Sequence, residues 1–217
     1  MKNFIKIFSL FLFVLLFQST LVSQELKLWY DKPASFWEEA LPLGNSRLGV
    51  MVYGGIEKEE LQLNEETIWG GRPYNNDNEK ALEALPKIQK LIFEGKTDQA
   101  DKLTNETFFT NTHGMPYQTA GSVILNFKNH KNVENYYREL DINSAKALTS
   151  YTIDGVEFKR EIITSFSDDV IIMELSASKP NALCFELEYS PKVESLIFSK
   201  DSVLVLNGKG LDHEGVK

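Results

Sequence analysis

Cysteine is nearly absent from these 217 residues: Cys184 stands alone. No intrachain disulfide can form, and no cysteine cluster can hold zinc. Cys184 lies in the alternating stretch "ALCFELEY", which predicts a buried, inert thiol on a strand rather than a nucleophile. Histidine is scarce too. His113, His130 and His213 are isolated from one another and lack metal-ligand spacing. Positive charge is short of negative, with 23 Lys and Arg against 31 Asp and Glu and a formal net charge of −8. That excludes the basic stripe a nucleic-acid binder needs and the polybasic patch an anionic membrane attracts. The chain contains no P-loop, dinucleotide fingerprint or nucleophile elbow. Internal repeats and low-complexity linkers are likewise missing.

Long apolar runs are limited to one, "IFSLFLFVLLF" from Ile7 to Phe17. It is too short for the roughly 20 residues that span a bilayer. Lys2 and Lys6 precede it and the polar "QSTLVSQ" follows, so residues 1–23 read as a secretory signal peptide cleaved near Ser23. An uncleaved anchor is the alternative. The expected location is outside the cytoplasm, periplasmic or secreted, with no membrane contact after cleavage.

What is present after that segment is globular composition, 42% hydrophobic and 25% charged. Three blocks follow. Leu26 to Gly71 reads as strands joined by turns. Pro73 to Phe109 is helical: Ala81, Leu85, Ile88, Leu91 and Ile92 recur at helical spacing in "NEKALEALPKIQKLIFEGK". Asn76 or Asp77 is the expected cap, Pro86 predicts a kink or break, and Gly95 a stop. A second, shorter helix is expected from a Thr cap in "TDQADKLTNETFF". Gly121 to Leu206 is nearly all strand, with Asp154-Gly155 a two-residue hairpin signal that sets Val156, Phe158 and Arg160 on one face. Many short antiparallel strands with frequent turns predict a mainly β protein, a large antiparallel β-sandwich occupying 26–217 and carrying a helical insertion over about 76–109. The closing "LVLNGKGLDHEGVK" reads as a stop inside that sandwich.

Few residues carry chemistry. Glu65-Glu66 and Asp168-Asp169 are adjacent pairs, and neighbours on a strand point to opposite faces, so neither pair can embrace one glycosidic bond. Asp168-Asp169 is expected to form the turn before "VIIMEL". His130 in "FKNHKN" is expected in a solvated loop. His113 sits in "TNTHGMPYQTAG", a loop of the kind that lines clefts; a structural or merely exposed role is the competing reading. Trp29, Trp37, Tyr74, Tyr117, Tyr136 and Tyr137 are expected mainly in the core. Trp69 stands evenly between core filler and a platform for a sugar ring.

Taken in order, "LPLGNSRLGVMVYGG", "LQLNEETIWGGRP", "LPKIQKLIFEGKTDQADKL", "YQTAGSVILNF" and "YYRELDINSAKALTSYTIDGVEFKREIITSFSDDVIIMELSA" resemble the N-terminal domain of glycoside hydrolase family 95. The resemblance covers about Leu28 to the end. One departure is Ser46, where the family commonly has glycine. The resemblance implies a "super-sandwich" that supports an (α/α)₆ catalytic barrel in an inverting α-L-fucosidase acting on fucosylated glycans; α-L-galactosides are the alternative substrate. The family's catalytic acid and base lie in the barrel, so no catalytic residue carries over to this chain. No metal or organic cofactor is expected, because inverting hydrolysis uses carboxylates and water. By analogy, Asn45, Arg47, Asn64, Glu65, Trp69, His113 and Gln118 are candidates to face the cleft or the barrel. Two competing readings are a stand-alone carbohydrate-binding sandwich and an inactive fragment with an open strand edge.

Overall fold

The computed structural model describes residues 25–73, 75–110 and 115–212. The expected signal peptide and His113 lie outside the described residues. Twelve strands and two helices are present in this part of the chain. They are β1 (Lys27–Tyr30), β2 (Leu41–Gly44), β3 (Leu48–Val52), β4 (Lys58–Glu65), α1 (Ala81–Phe93), α2 (Thr97–Thr107), β5 (Gly121–Asn126) and β6 (Glu134–Asp141). After them come β7 (Lys146–Ile153), β8 (Val156–Ser165), β9 (Val170–Ala177), β10 (Glu186–Ser190), β11 (Ser195–Lys200) and β12 (Val203–Gly208). A single 3₁₀ turn, Trp37–Glu39, precedes β2.

The strands form two five-stranded antiparallel sheets, ordered β1-β6-β7-β8-β9 and β10-β5-β4-β3-β2, and a separate β11-β12 hairpin. The mainly β sandwich with a helical insertion, expected from the sequence, is the observed architecture. Alternation does the sorting. Successive strand residues face opposite sides, so a period of two gives each sheet one apolar face. On β7 the pattern is regular, with Ala147, Thr149, Tyr151 and Ile153 buried between half-buried neighbours. The main core joins Leu41, Leu43, Val50, Val52 and Leu61 of one sheet to Leu140, Ala147 and Ile162 of the other. Each large aliphatic side chain buried this way contributes about 1.5–3 kcal/mol. A smaller cluster of Tyr151, Ile153 and Phe158 lies further along the sandwich.

Turn chemistry accounts for the connections. Asp154 and Gly155 both take positive φ, 49° and 70°, as a two-residue hairpin between β7 and β8 demands. Gly95 closes α1: its N–H donates to Ile92 O and the Lys96 N–H to Leu91 O, the paired bonds of a Schellman cap. Asp168 accepts from the hydroxyls of Ser165 and Ser167 at 2.6 and 3.1 Å in the β8–β9 turn, as expected of it.

Four local expectations are corrected. Pro86 does not break α1, which runs continuously through it. The carbonyl deprived of a partner is that of Leu82, a residue 80% exposed, where water can replace the lost bond. Neither Asn76 nor Asp77 caps α1; Asn78 instead accepts from the Lys80 N–H at 3.0 Å. Thr97 is the first residue of α2 rather than a side-chain cap. Cys184 is exposed, ahead of β10, because the strand begins only at Glu186.

A fifth correction, and the largest, concerns His130, which is 6% exposed rather than solvated. Its ring packs between Phe127 and Phe158, and its Nδ1 lies 2.8 Å from the Tyr151 hydroxyl. That hydroxyl accepts from Arg160 at 2.5 Å. Arg160 in turn pairs with Glu59 at 2.8 Å and donates to the carbonyls of Gly55 and Ile56. Its guanidinium lies over the Phe127 ring, 4.1 Å from the centroid. Glu59, on the opposite sheet, has no solvent exposure and also accepts from the Gly54 N–H at 2.8 Å. Burial pushes the Glu59 carboxyl up, and the Arg160 charge opposes that rise.

Two outcomes follow from this network. Replacing Arg160 by Leu strands a buried carboxylate and is expected to cost about 3–5 kcal/mol, read from denaturant unfolding; adding Glu59→Gln should restore part of the loss. Burial first, and then the Arg160 charge, lowers the His130 pKa. Below the unfolded value of about 6.5 the unfolded chain therefore binds the extra proton and the fold does not. The stability supplied by neutral His130 is complete above that value and is lost as pH falls through it toward the folded pKa. Unfolding curves taken from about pH 7.5 to 5.5 should show a steeper loss for the native chain than for His130→Gln. Equal slopes would contradict the assignment.

Candidate functional site

The turn-rich end of the second sheet gathers most of the sequence candidates. There β2 turns into β3, β4 ends, and the segment before β5 returns. Gly44 pairs with Gly49 across the first hairpin, leaving Asn45 to Leu48 as its turn. Ser46 takes a φ of 78°. Positive φ at the first loop position is the pattern of a type II′ turn, where glycine is preferred.

Asn45 is the reason the turn holds. It is 6% exposed. Its Oδ1 accepts from the Arg47 and Leu48 N–H groups at 3.1 and 2.7 Å. Its Nδ2 donates to Ser165 O at 2.6 Å, at the end of β8 in the other sheet. The structure thus places Asn45 as an internal tie between the sheets at this end, with its polar atoms already engaged.

Arg47 points outward from the same turn. Its Nε donates to Glu65 Oε1 at 3.2 Å, and its Nη1 lies 3.9 Å from Asp169 Oδ2. Glu65 Oε2 accepts from both the backbone N–H and the hydroxyl of Thr67, at 2.9 and 2.6 Å. The Thr67 bonds, with help from Arg47, hold the Glu65 carboxyl below the usual carboxylate range. It is a fixed anion and acceptor, unsuited to donating a proton at neutral pH.

Asn64, one residue earlier, accepts from the Tyr117 hydroxyl, which also donates to Glu65 O. Tyr117 forms an isolated bridge with Trp69, and their rings meet edge to face at 5.3 Å between centroids. The Trp69 indole N–H donates to Glu66 O at 2.9 Å, yet the residue is 51% exposed. Gln118 lies on the far side of this pair, its backbone N–H on Ile68 O and its Oε1 accepting from the Leu211 N–H. It pins the segment after β12 to the Gly70-Gly71 turn, where Gly71 donates to Leu211 O.

Arg47, Asn64, Glu65 and Trp69 therefore meet in one cluster, Asn45 lies beneath it, and Gln118 serves as an anchor beside it. Tyr117 is the residue that sequence reasoning missed. The sequence pattern groups it with the core aromatics, and only its position in the loop containing His113 hints otherwise. Trp29 and Trp37, also expected in the core, are 59% and 54% exposed.

Two concavities flank Tyr117 and Trp69. One, of about 450 Å³, is lined by Trp37, Gly49, Met51, Gln62, Asn64 and Tyr117 among others. The second, of about 400 Å³, is lined by Thr67, Trp69, Gly70, Gly71, Arg72, Pro73 and Met115. Exposed indole and phenol rings beside fixed amides, a guanidinium and a carboxylate suit a ligand with both an apolar face and hydroxyls. Among the described residues no group of three His, Cys, Asp or Glu is placed to hold a metal ion.

The fold is an antiparallel β-sandwich with polar and aromatic residues collected at one end, where Glu65 is held ionised. The family described as "Glycosyl hydrolase family 65, N-terminal domain" matches residues 28–216, and the chain belongs to it. Among curated relatives, Alpha-L-fucosidase 2 of Arabidopsis thaliana is 38% identical over 178 residues, covering 79% of this chain and 20% of the relative. Probable alpha-fucosidase A of Aspergillus niger is 30% identical over 161 residues, and its counterpart in Aspergillus oryzae 27% over 175. These matches cover 70% and 76% of this chain, and 20% and 23% of the relatives. The chain thus spans about a fifth of the length of the relatives it matches, and it is an N-terminal domain of the fucosidase-like glycoside hydrolases.

Ser46 offers a direct check on the turn. A non-glycine residue at positive φ costs roughly 1–2 kcal/mol, part of which glycine returns through its larger unfolded-state entropy. Ser46→Gly should raise stability by about 0.5–1 kcal/mol, seen as a higher denaturant midpoint at unchanged slope.

Proposed function

We propose that this chain is the N-terminal domain of an exported, inverting α-L-fucosidase of family 95 that acts on fucosylated glycans. In this reading the sandwich supports a separate catalytic barrel, and its Trp69 end forms one wall of the substrate cleft. The observation that carries the proposal is the 38% identity to an enzyme named as an α-L-fucosidase, spread over most of this chain. The chemistry of the site agrees with a supporting role. Inversion needs a carboxylic acid at the leaving oxygen and a carboxylate roughly 6.5–9.5 Å from it, with a water between that carboxylate and the opposite face of the sugar. Glu65 is tied by Thr67 and Arg47 in its ionised form, which suits it to accept hydroxyl hydrogen bonds and not to protonate a leaving group. Trp69, half-exposed and braced by Tyr117, presents an aromatic surface to which the apolar face of a pyranose can stack. The acidic chain, net −8, favours a neutral glycan over an anionic one. Export rests on the residues 1–23 and their basic, apolar and small-residue order.

Hydrolysis of an aryl α-L-fucoside tests the proposal. The chain by itself should be inactive. Joined to the catalytic part of the enzyme, it should support turnover, and Trp69→Ala should lower kcat/KM for a fucosylated oligosaccharide by about tenfold, equivalent to about 1.4 kcal/mol of binding. Unchanged kinetic constants accompanied only by lost stability would remove Trp69 from the cleft.

A further inference from the structure

The outer face of the second sheet has a gap in its side chains. β3 and β4 pair Gly49 with Asn64 and Met51 with Gln62 across their register. All four line the 450 Å³ concavity whose rims include Trp37 and Tyr117. The gap exists because position 49 has no side chain. A Cβ there would come within 3.3 Å of Asn64 Cβ and 3.7 Å of Asn64 Nδ2, so the Asn64 amide nitrogen lies over the glycine, inside the concavity. Asn64 Oδ1 is already taken by the Tyr117 hydroxyl, which fixes the amide with its N–H₂ available as donor. Gln62 Oε1, on the same floor, is buried and has no hydrogen-bond partner among the described residues. A buried acceptor left unmatched costs about 1–3 kcal/mol, and such a group calls for a donor that the described residues do not provide.

We propose that this concavity is a binding subsite for a neutral hexopyranoside unit of a glycan, separate from the Trp69 hollow. Trp37, 54% exposed at the rim, supplies the stacking plane for the apolar face of the ring. The Asn64 amide donates to one hydroxyl oxygen, and another hydroxyl donates to Gln62 Oε1. Met51 and the bare Gly49 backbone accept the edge of the ring. The volume lies within the range of small-ligand pockets and has the usual composition of one, mostly apolar with a few directed polar groups. Charge selects against uronic or sialic units, since the chain is net acidic and the floor contains amides rather than cations. The inference rests on the glycan-directed reading above and extends it to a second contact, one that holds a neighbouring unit of the chain without taking part in cleavage.

The probe is fucosyllactose, a neutral trisaccharide, titrated into the purified chain and followed by saturation-transfer NMR and tryptophan fluorescence. Saturable binding is expected. Trp37→Ala should weaken it by about tenfold or more, the loss of one aromatic contact. Gly49→Val should abolish it by filling the floor, and Trp29→Ala, at an exposed tryptophan outside the concavity, should leave it within about twofold. Circular dichroism checks that each variant is folded; Trp37→Ala alters an exposed side chain and tests the subsite should Gly49→Val not fold. No saturable binding by the folded chain, or binding that Trp37→Ala leaves intact, overturns the proposal. So does binding lost only with Trp69→Ala, which would place the sugar in the other hollow. Fucoside hydrolysis reads the previous reading separately: turnover without this binding sinks the subsite alone, and binding without turnover in the joined enzyme sinks the fucosidase reading alone.

Discussion

One guanidinium holds the sandwich to a single arrangement. Arg160 rises from β8 and meets Glu59 of β4 across the interior, and its two Nη groups also donate to Gly55 O, Ile56 O and the Tyr151 hydroxyl. Apolar side chains alone would allow the sheets to slide, because a core of Leu, Ile and Val is tolerant of shifts. A buried charge is not tolerant: if it loses its partner by a few ångströms, the desolvation cost returns in full. The β3–β4 connection is thereby pinned between the sheets. Tyr136 adds a bond to Gly54 O at 2.6 Å, and Gly54 N–H is held by Glu59. A second buried arginine, Arg138, lies nearer β1 and is held by main-chain carbonyls, donating to Lys32 O and Glu39 O and covering the Tyr30 ring at 4.2 Å.

That fixed geometry is what the other end of the sandwich requires. Asn45 links the β2–β3 turn to Ser165 on the opposite sheet, and its hydrogen bonds have the right lengths only if the two sheets keep their register. Arg47, Glu65 and Thr67 then form a rigid polar rim, and Tyr117 and Trp69 brace one another beside it. A rim of this kind needs little ordering when a ligand arrives, and preorganised groups lose less entropy on binding. Its carboxylate is committed to holding the Arg47 guanidinium and the Thr67 N–H and hydroxyl.

Large apolar side chains remain in view elsewhere. Leu82, Ile92 and Phe93 on α1 are more than half exposed, and Leu196 and Val203 on the β11-β12 hairpin likewise. An isolated two-stranded ribbon is only marginally stable in water, so the hairpin draws little stability from its own pairing. The sandwich core and the hairpin therefore differ in cohesion, with the buried ionic network at the cohesive end.

The sequence by itself determined the strand pattern, the positions of the β7–β8 turn and the α1 stop, and the place of the helical insertion. These follow from period-two alternation, from residues that tolerate positive φ, and from helical spacing, all of which are local. Its ordered motifs also pointed to the glycoside hydrolase family. The tertiary structure alone decided the fates of His130, Cys184 and the tryptophans. His130 stands in a polar stretch, but a tyrosine 21 residues later and an arginine beyond it provide a buried partner network. Trp29 and Trp37 look like core residues, yet β1 and the 3₁₀ turn lie at the sandwich margin and leave them exposed. The candidate site divided the same way. Arg47, Asn64, Glu65 and Trp69 could be listed from one segment, but Tyr117 joined them, and Asn45 was drawn beneath them, through pairings between residues 50 to 120 positions apart. Burial and partnership depend on such distant encounters, and no local pattern along the chain encodes them.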